Sequence, residues 1–297
     1  MKERLLWGVD LGGTKIEAVV VKANAPSIGL ARHRIDTESS GGYRHIIGRI
    51  QGLVAEVERL AGARCERLGV GTPGTIDPGK DALKNSNTLC LNGQPLHRDL
   101  AGALGLPVSL MNDANCFALA EAKFGAGRDA GVVFGVILGT GVGGGVVVNG
   151  TALTGAHGIA GEWGHNVLDP LGGACYCGKR GCVERVLSGP ALTEFYNARV
   201  GRQRTLKEIF ADQEDPIARE TCERLLNGLG QALAVVINII DPDCIVLGGG
   251  VSNFERIYSE IQDRIRPWIF NHEVRTPILK AQLGDSAGVF GAALLSG

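Results

Sequence analysis

The stretch that decides the fold lies in the middle of the chain. Residues 161–165 read Gly-Glu-Trp-Gly-His, and residues 175–184 read Cys-Tyr-Cys-Gly-Lys-Arg-Gly-Cys-Val-Glu. Three of the eight cysteines fall within eight positions, and a histidine stands ten residues before the first of them. Three thiolates and one imidazole form the closed tetrahedral set that structural zinc prefers. The spacing predicts a structural zinc site with four ligands: His165, Cys175, Cys177 and Cys182.

Zinc in such a site is a scaffold, because four protein ligands leave no open position for chemistry. The glycines between the ligands allow the backbone to turn tightly enough to bring the ligands to one point. Glu162 and Glu184 flank the cluster, so the metal would hold two carboxylates beside any ligand that binds there. The alternative is a set of buried free thiols with an unrelated surface histidine.

Size and composition set the class of protein. A chain of 297 residues exceeds the usual size of one hydrophobic core, which predicts two domains. The net charge of −1 gives no electrostatic footprint for nucleic acid or an anionic membrane. The 45 glycines, with no collagen period, predict many tight turns and close approaches of the backbone to a ligand.

The first residues, the apolar runs and the cysteines predict the cellular compartment. Residues 1–4 include an acid and lead into no apolar run with a cleavage site, so no signal peptide is expected. The apolar run 137–148 is interrupted by five glycines and is too short to span a bilayer. Eight cysteines without a secretory signal indicate a reducing compartment. We expect a cytoplasmic protein that binds neither membrane nor nucleic acid.

One layout, a strand, a glycine turn and a second strand, is predicted twice. The predicted strands are 5–9 and 16–21 in the first copy, and 132–138 and 146–148 in the second. The turns between them offer backbone N–H groups to an anion, which suggests an internal duplication with two phosphate sites. The turn residues concerned are Gly12, Gly13 and Thr14 in the first copy, and Gly139, Thr140 and Gly141 in the second.

The first turn also carries charged groups. Lys15 could add a positive charge for a phosphate, and Asp10 could hold a magnesium ion through water. The alternative is a plain turn with a capping aspartate. The stretches 69–74 and 139–144 both fit G-x-G-x-x-G, but neither leads into the helix that a dinucleotide fingerprint requires.

A carboxylate follows a predicted strand. The strand 108–111 leads into Asn112 and Asp113, and a helical pattern runs from Cys116 to Phe124. Ligands collect at such strand ends in α/β sheets. The alternative is that Asp113 only caps the helix.

Two further loops suit ligand recognition. Residues 84–87, Lys-Asn-Ser-Asn, offer amides for hydroxyl groups, or are a solvated turn. Gly248, Gly249 and Gly250 follow a strand and would form a flat backbone surface for a nucleoside, or would allow tight strand–helix packing. Ser252 with Glu255 is predicted to form a capping box for the next helix. Helical periodicity predicts helices over 43–60 and 216–240.

These motifs, in this order, resemble the bacterial ROK sugar kinases from residue 5 to the end of the chain. The motifs are 10–15, 112–115, 138–141, 161–165, the Cys-rich stretch 175–184 and 248–250. The Cys-rich stretch with its flanking glutamates is the most specific. Residues 84–87, 91–95 and 161–166 look most like the fructokinases, including the manno(fructo)kinase type.

The resemblance implies an α/β chain with an actin-like ATPase (ribonuclease H-like) fold, two α/β domains around a cleft. The smaller domain would be residues 1–113 with 285–297, and the larger would be 114–284 with the zinc motif. The family also implies a homodimer.

The resemblance further implies the site. Asp113 would be the catalytic base toward a sugar hydroxyl, and His165 would bind zinc with one nitrogen and the sugar with the other. The sugar-binding positions would be Gly74, Asn87, Asn112, Glu162, His165 and Glu184. ATP would be bound by Asp10, Gly12, Gly13, Thr14, Lys15, Gly139, Thr140, Gly141, Gly249 and Gly250.

The expected function is therefore an ATP- and Mg²⁺-dependent hexose kinase for fructose, and for mannose or glucose as further substrates. An N-acetylglucosamine or N-acetylmannosamine kinase, or a glucokinase, of the same family is the enzymatic alternative. A sugar-sensing protein that closes on ATP without catalysis is another. A zinc-dependent hydrolase would need an open coordination position, which the four predicted ligands do not leave.

Overall fold

The computed structural model describes residues 4–297, with the backbone alone at residues 25–28. Residues 1–3, which entered the expectation that no signal peptide is present, lie outside the described part. Among the described residues, no helix is both long enough and apolar enough to cross a membrane.

The strands and helices alternate along most of the chain. The strands are β1 (Leu5–Leu11), β2 (Lys15–Lys22), β3 (Ala25–Asp36), β4 (Leu68–Thr72), β5 (Thr75–Asp77), β6 (Ala82–Lys84), β7 (Val108–Asn112), β8 (Val132–Leu138), β9 (Val142–Val148), β10 (Thr151–Ala152), β11 (Cys244–Gly248) and β12 (Ile278–Lys280). The helices are α1 (Tyr43–Ala61), α2 (Leu96–Leu104), α3 (Asp113–Phe124), α4 (Val183–Leu187), α5 (Gly189–Val200), α6 (Leu206–Ala211), α7 (Pro216–Ile240), α8 (Arg256–Ile265) and α9 (Ala287–Leu294). This content confirms the predicted α/β class.

The chain divides into two compact units. Unit 1 contains the described residues up to Gly125, with Thr151–Ala160 and Leu283–Gly297. Unit 2 contains Ala126–Gly150 and Gly161–Gln282. The predicted boundaries, 1–113 with 285–297 and 114–284, separated α3 from the first unit. In the structure α3 packs against α9 of unit 1, where Gly291 lets the two helix backbones approach at Cys116.

The sheet of unit 1 has the strand order β3-β2-β1-β4-β7. The first three strands are antiparallel, and β4 and β7 run parallel to β1. Alternate residues of β1 face opposite sides, because side chains on a strand alternate. Val9 and Leu11 are buried in the core with Ile46 and Ile50 of α1, as the helical period of that segment predicted. Gly8 lies under α9, where a Cβ would be 2.5 Å from the Val289 carbonyl oxygen.

The sheet of unit 2 contains β9-β8-β11-β12 in that order, with β8 and β9 antiparallel and β11 and β12 parallel to β8. The long helix α7 lies in its core, and Leu225, Leu229 and Leu233 are fully buried there. Gly230 lets α8 approach α7, because a Cβ would be 2.7 Å from the backbone of Arg264. Both predicted glycine hairpins, β1–β2 and β8–β9, are therefore confirmed.

Two local predictions are wrong. Strand β9 begins at Val142 and not at Val146, because its glycines pair with β8, and Gly144 leaves room for the Trp163 ring. Ser252 forms no capping box with Glu255. A short 3₁₀ turn occupies Gly250–Asn253, and the Ser252 hydroxyl donates to Gly249 O at 2.7 Å.

Candidate functional site

In unit 1, Asp113 is the first residue of α3 and directly follows β7. The cap of α3 is its neighbour Asn112, whose Oδ1 accepts from Ala114 N at 2.9 Å and from Asn115 N at 3.4 Å. The Asp113 carboxylate accepts from Ala114 N at 2.8 Å. Asn112 therefore does the capping, and the interpretation of Asp113 as the cap is not supported.

Asn112 also connects Asp113 to the end of β4. Its Nδ2 donates to Gly74 O at 3.4 Å, and that oxygen also accepts from the Thr72 hydroxyl at 3.0 Å. Gly74 has a φ of 158°, and a Cβ there would lie 2.7 Å from Lys84 O. Only glycine fits where the two loops meet, so the end of β4 is held beside the start of α3.

The loop 84–87 is fixed at Ser86, and its Asn85 and Asn87 are exposed to solvent. Asn92 accepts from Ser86 N at 2.8 Å and donates to Ser86 O at 2.9 Å, and the Ser86 side chain is buried. This places Asn87 beside the first glycine turn. Its Oδ1 is 3.9 Å from the position that a Cβ of Gly13 would take. Asn87 and Gly13 are therefore neighbours in unit 1, as are Gly74 and Asn112.

The first turn is tight and open to a ligand. Gly12 N donates to Lys15 O at 2.9 Å, and Thr37 holds the turn by donating its hydroxyl to Gly12 O at 2.7 Å. Thr14 and Lys15 are exposed at the end of the hairpin. Thr37 is a supporting residue that the motif alone did not predict.

Asp10 lies beneath this turn among small residues. Cβ atoms at Gly71 and Gly288 would lie 3.3 Å and 3.0 Å from its carboxylate oxygens, so both glycines make room for it. Burial, and then the charge of Asp113, raises the pKa of Asp10 to about 7. Burial raises the pKa of Asp113 to about 6, opposed by the hydrogen bond from Ala114. The two carboxyl groups are close enough to affect each other's titration.

A charged row crosses the strands beside Asp10. Glu17 pairs with Asp10 in the β1–β2 register and with Arg34 in the β2–β3 register. Its buried carboxylate forms ion pairs with Arg32 and Arg34. The hydrogen bond that Arg34 donates to Glu17 raises the pKa of Arg34, and the charge of Arg34 opposes the rise in the pKa of Asp10. No sequence motif contains this row, because its members come from three strands.

In unit 2, the second glycine turn is held by a glutamate. Gly139 N donates to Gly141 O at 2.9 Å, and Glu184 Oε2 accepts from Val142 N at 3.0 Å. A Cβ at Gly141 would lie 2.7 Å from that same oxygen. Thr140 is exposed at the tip of the turn. Glu184, predicted for the sugar, thus also positions the predicted phosphate turn.

A cavity of about 700 Å³ opens beside this turn. Gly139, Thr140 and Gly250 lie at its wall, and Phe210 and Phe254 stack there with ring centroids 4.3 Å apart. Of the six remaining lining residues, Pro190, Leu206 and Val251 are apolar, and the others are Gly189, Lys207 and Asn253. Such a lining suits an aromatic base or another flat apolar group.

Gly249 and Gly250 differ in their surroundings. Gly249 has a φ of 84°, and a Cβ there would clash with Leu138 O, so it allows tight packing at the end of β8. Gly250 lines the cavity. Of the two predicted nucleoside residues, Gly250 is thus placed to contact a ligand and Gly249 lies behind it.

The motif 161–165 is fixed by its tryptophan. Trp163 is buried, packs edge-on against Phe134 and donates its Nε1–H to Gly143 O at 2.9 Å. Gly161 and Gly164 bring the motif directly onto β9, where side chains would clash with Gly144 and Val142. Glu162 and His165, on either side of the buried ring, remain partly exposed.

The predicted metal ligands come together. Their ligand atoms all lie within 4.8 Å of one another, with Cys177 Sγ 3.6 Å from Cys182 Sγ and His165 Nδ1 3.7 Å from Cys175 Sγ. Zinc–sulfur bonds of ~2.3 Å in a tetrahedron separate two sulfurs by about 3.8 Å. The four residues therefore fit a structural zinc ion, and the alternative of an unrelated surface histidine is wrong.

The second nitrogen of His165 has a partner that the sequence did not predict. Its Nε2 lies 3.1 Å from Tyr176 Oη, and the two rings meet edge to face at 90°. That this nitrogen faces a sugar stays a prediction; in the structure it lies beside the exposed Tyr176 side chain. Burial, and the negative charges of Glu184 and Glu162, raise the pKa of Tyr176. Tyr176 is the residue between the first two cysteines, a position treated as a spacer in the motif.

Comparison with known proteins identifies the family. The family model described as ROK family matches residues 6–297. The chain belongs to the ROK family. The N-acetyl-D-glucosamine kinase of Yersinia enterocolitica (serotype O:8 / biotype 1B) is 36% identical over 303 residues, which cover 98% of this chain and 99% of that protein.

Two solved ROK structures are similar over nearly the whole chain. The ROK hexokinase from Thermus thermophilus has a TM-score of 0.88 and 34% identity, and covers 99% of this chain and 98% of its own. The ROK family glucokinase from Streptomyces griseus, solved with glucose and AMPPNP, has a TM-score of 0.83 and 31% identity over 99% of each chain. These likenesses confirm the actin-like ATPase fold. The predicted fructokinase subgroup is not supported, because the Yersinia relative matches the N-acetylglucosamine kinase alternative.

Proposed function

We propose that this ROK protein is an ATP-dependent kinase that phosphorylates a hydroxyl group of a hexose, with N-acetylglucosamine as the first candidate. The observation that carries the proposal is Asp113. It stands at the end of a parallel strand, held by Asn112, and burial raises its pKa to about 6. A carboxylate with such a pKa is an effective proton acceptor near neutral pH.

In the proposed reaction the sugar hydroxyl oxygen attacks the γ-phosphorus of ATP, and the bond from that phosphorus to the bridging oxygen of ADP breaks. Asp113 accepts the hydroxyl proton. The turns at Gly12–Thr14 and Gly139–Gly141, with Lys15, bind the phosphate oxygens as charge moves to them. The amides used are those other than Gly12 N and Gly139 N, which donate within the turns. Mg²⁺, when bound, neutralises phosphate charge.

The remaining residues hold the substrates. Asn87, Asn112, Glu162 and Glu184 supply amide and carboxylate groups for sugar hydroxyls. The cavity at Gly250, with its stacked Phe210 and Phe254, takes the adenine base. Zinc, when bound by His165 and the three cysteines, fixes the loop that carries these acids and offers no open position for catalysis.

Two sugars have support from relatives. The N-acetyl sugar is supported by the 36% identity to the Yersinia N-acetyl-D-glucosamine kinase over nearly the full length of both chains. Glucose is the second candidate, since the Streptomyces neighbour is named a glucokinase and was solved with glucose. Fructose and mannose, the substrates predicted from loops 84–87 and 91–95, belong in the same test.

The test is ADP release in a coupled assay with ATP, Mg²⁺ and a panel of N-acetylglucosamine, N-acetylmannosamine, glucose, mannose and fructose. We expect turnover with at least one sugar, fastest with N-acetylglucosamine. In Asp113→Asn, kcat should fall about a thousandfold while the sugar still binds. The matched control is Asp129→Asn, which removes a carboxylate whose side chain is 93% exposed.

Three outcomes would contradict the proposal. A preference for fructose by an order of magnitude would restore the fructokinase prediction. Sugar binding without ADP release would favour the sugar-sensing alternative. Full turnover in Asp113→Asn would contradict the assignment of Asp113 as the catalytic base.

A further inference from the structure

The glycine turn of unit 1 is held by one buried residue from the neighbouring strand. Thr37 directly follows β3, and its side chain is fully buried. Its hydroxyl donates to Gly12 O at 2.7 Å, and its backbone N donates to Thr14 O at 2.8 Å. Thr37 therefore holds two carbonyl groups of the turn, one on each side of Gly13.

Thr37 is itself fixed by helix α1. Arg49 of that helix donates to Asp36 O from Nε at 3.1 Å and from Nη2 at 2.8 Å. Arg49 also forms an ion pair with Glu38 at 3.3 Å. The residues before and after Thr37 are thus both bound to α1, so we expect the Thr37 hydroxyl to be in place before a ligand binds.

The hydrogen bond to Gly12 O determines the direction of the next amide. In a planar trans peptide, the C=O and the N–H that follows it point in opposite directions. Because Gly12 O points to the Thr37 hydroxyl, Gly13 N–H points away from that hydroxyl. Within the described residues Gly13 N has no hydrogen-bond partner, and Gly13 is partly exposed. The turn therefore offers a donor whose direction depends on Thr37.

The two glycines cannot hold this direction by themselves. Neither Gly12 nor Gly13 has a side chain that restricts its backbone, so the peptide between them can rotate when nothing else holds it. A rotated peptide would turn the Gly13 N–H away from an anion and present the Gly12 carbonyl oxygen instead. The Thr37 hydroxyl prevents this rotation.

We propose that Thr37 is a positioning residue for the nucleotide: by holding Gly12 O, it directs Gly13 N–H toward a phosphate oxygen of ATP. Thr37 does not contact the ligand and acts through the peptide between the two glycines. This role rests on the proposed ATP-dependent function. We expect its loss to weaken binding of the phosphate groups, and to leave binding of the base and of the sugar unchanged.

The first experiment measures nucleotide binding without turnover. Thr37→Val keeps the shape of the side chain and removes the hydroxyl, whereas Thr37→Ser keeps the hydroxyl. Each variant is titrated calorimetrically with ATP and Mg²⁺ in the absence of sugar, and then with adenosine, which has no phosphate. We expect Thr37→Val to bind ATP about tenfold more weakly, because a hydrogen bond to a charged group is misdirected. Thr37→Ser should bind ATP within about threefold of wild type, and both variants should bind adenosine as wild type does.

The matched control is Thr221→Val in unit 2. Thr221 is also fully buried, and its hydroxyl donates to Ile217 O at 2.7 Å within α7. The control therefore loses the same group, with the same donor–acceptor distance, outside the glycine turn. Its affinity for ATP should match that of wild type. Thermal unfolding tests whether each variant is folded, and Thr37→Ala, which also lacks the hydroxyl, is used if Thr37→Val is not.

The second experiment uses turnover with the sugar that the panel identifies. Thr37→Val should raise the KM for ATP about tenfold and keep the KM for sugar within about twofold. A general structural defect would change both constants. Thr37→Ser and Thr221→Val should keep both constants near the wild-type values.

Equal ATP affinity in wild type and Thr37→Val would overturn the positioning role. An equal loss of ATP affinity in Thr37→Ser, or an equal loss of adenosine affinity in Thr37→Val, would also overturn it. If wild type binds ATP but releases ADP with no sugar, the proposed function fails, and the ATP titration still decides the role of Thr37. Wild-type protein that binds no ATP would overturn both.

Discussion

Unit 1 and unit 2 share one strand plan but carry different chemistry. In each, a glycine hairpin is followed by two parallel strands, β4 and β7 in unit 1 and β11 and β12 in unit 2. The register makes the correspondence specific. Asp10 pairs with Gly71 in β4, and Ile137 pairs with Gly248 in β11. The same place in the plan thus holds an acid in one unit and an isoleucine in the other.

The comparison separates two contributions. The shared strand arrangement provides backbone amides in both units, and the side chains provide the chemical groups that differ between them. Both hairpins present backbone amides at the tip of a tight turn, which requires only glycine and hydrogen bonds. Unit 1 adds two carboxyl groups, and Gly71 and Gly288 make space for one of them. Unit 2 adds an apolar cavity and a cluster of metal ligands. The plan supports phosphate binding twice, and the acid–base chemistry lies in unit 1 alone in this account.

The largest effect on kcat is expected at Asp10, where the two hairpins carry different residues. Asp10→Asn keeps the shape and removes the charge, and kcat should fall about a hundredfold to a thousandfold, because the carboxylate proposed to hold Mg²⁺ through water is lost. The protein should remain folded, since Ile137 occupies the matching place in unit 2 without a charge. Steady-state ADP release measures kcat, and thermal unfolding tests whether the variant is folded. Asp129→Asn is the control in both experiments. A kcat within threefold of wild type would show that the acid is dispensable.

A smaller effect is expected at the strand ends. Thr72 is buried at the end of β4, whereas the corresponding Gly249 has a φ of 84° and lies against Leu138 O. Gly249→Ala should lower the free energy of unfolding by about 3 kcal/mol, through backbone strain and overpacking. Urea denaturation measures this, with Gly102→Ala as control. Gly102 lies in α2 with open space at its Cβ position, so alanine there should stabilise by up to about 1 kcal/mol. If Gly249→Ala and Gly102→Ala changed the free energy of unfolding equally, the backbone strain argued for Gly249→Ala would be contradicted.

The smallest effect concerns stability and pH in unit 1. A carboxyl group whose pKa is raised on folding favours the folded state below its unfolded pKa, and this contribution is lost as pH rises through the folded value. For Asp113 the window runs from 3.8 to about 6. Above it, Asp113→Asn should be more stable than wild type by up to about 3 kcal/mol, and the difference should shrink toward zero as the pH falls to 3.8 and below. A constant difference from pH 4 to 8 would argue against a raised pKa.

The strand and helix content was largely predictable, because hydrophobic period and glycine turns are local signals. The predicted bounds of α7, 216–240, match the structure, and both glycine hairpins were predicted. The prediction failed where tertiary contact decides. The glycines 143–145 were predicted as a turn, yet they pair with β8 as part of β9, and the Trp163 ring packs at Gly144. Helix α3 was assigned to the other domain, since its packing on α9 joins segments about 170 residues apart.

The candidate site was predictable only as a set of residue types. The motifs named Asp113 and the four metal ligands, and the structure gathers the metal ligands as expected. Three features were not visible in the motifs: the capping role of Asn112, the Glu17–Arg34 ion pair and the Tyr176–His165 contact. Each depends on residues brought together by sheet register or by a turn, which no spacing rule encodes.

The most direct test of the central claim, that burial tunes Asp113 for proton abstraction, is the pH dependence of kcat/KM for the preferred sugar between pH 5 and 8.5. The free enzyme's acid and base govern this ratio. Because Asp10 and Asp113 affect each other, the account predicts an acid limb with an apparent pKa between about 6 and 7, falling tenfold per pH unit below it. A profile that stays flat down to pH 5 would contradict it.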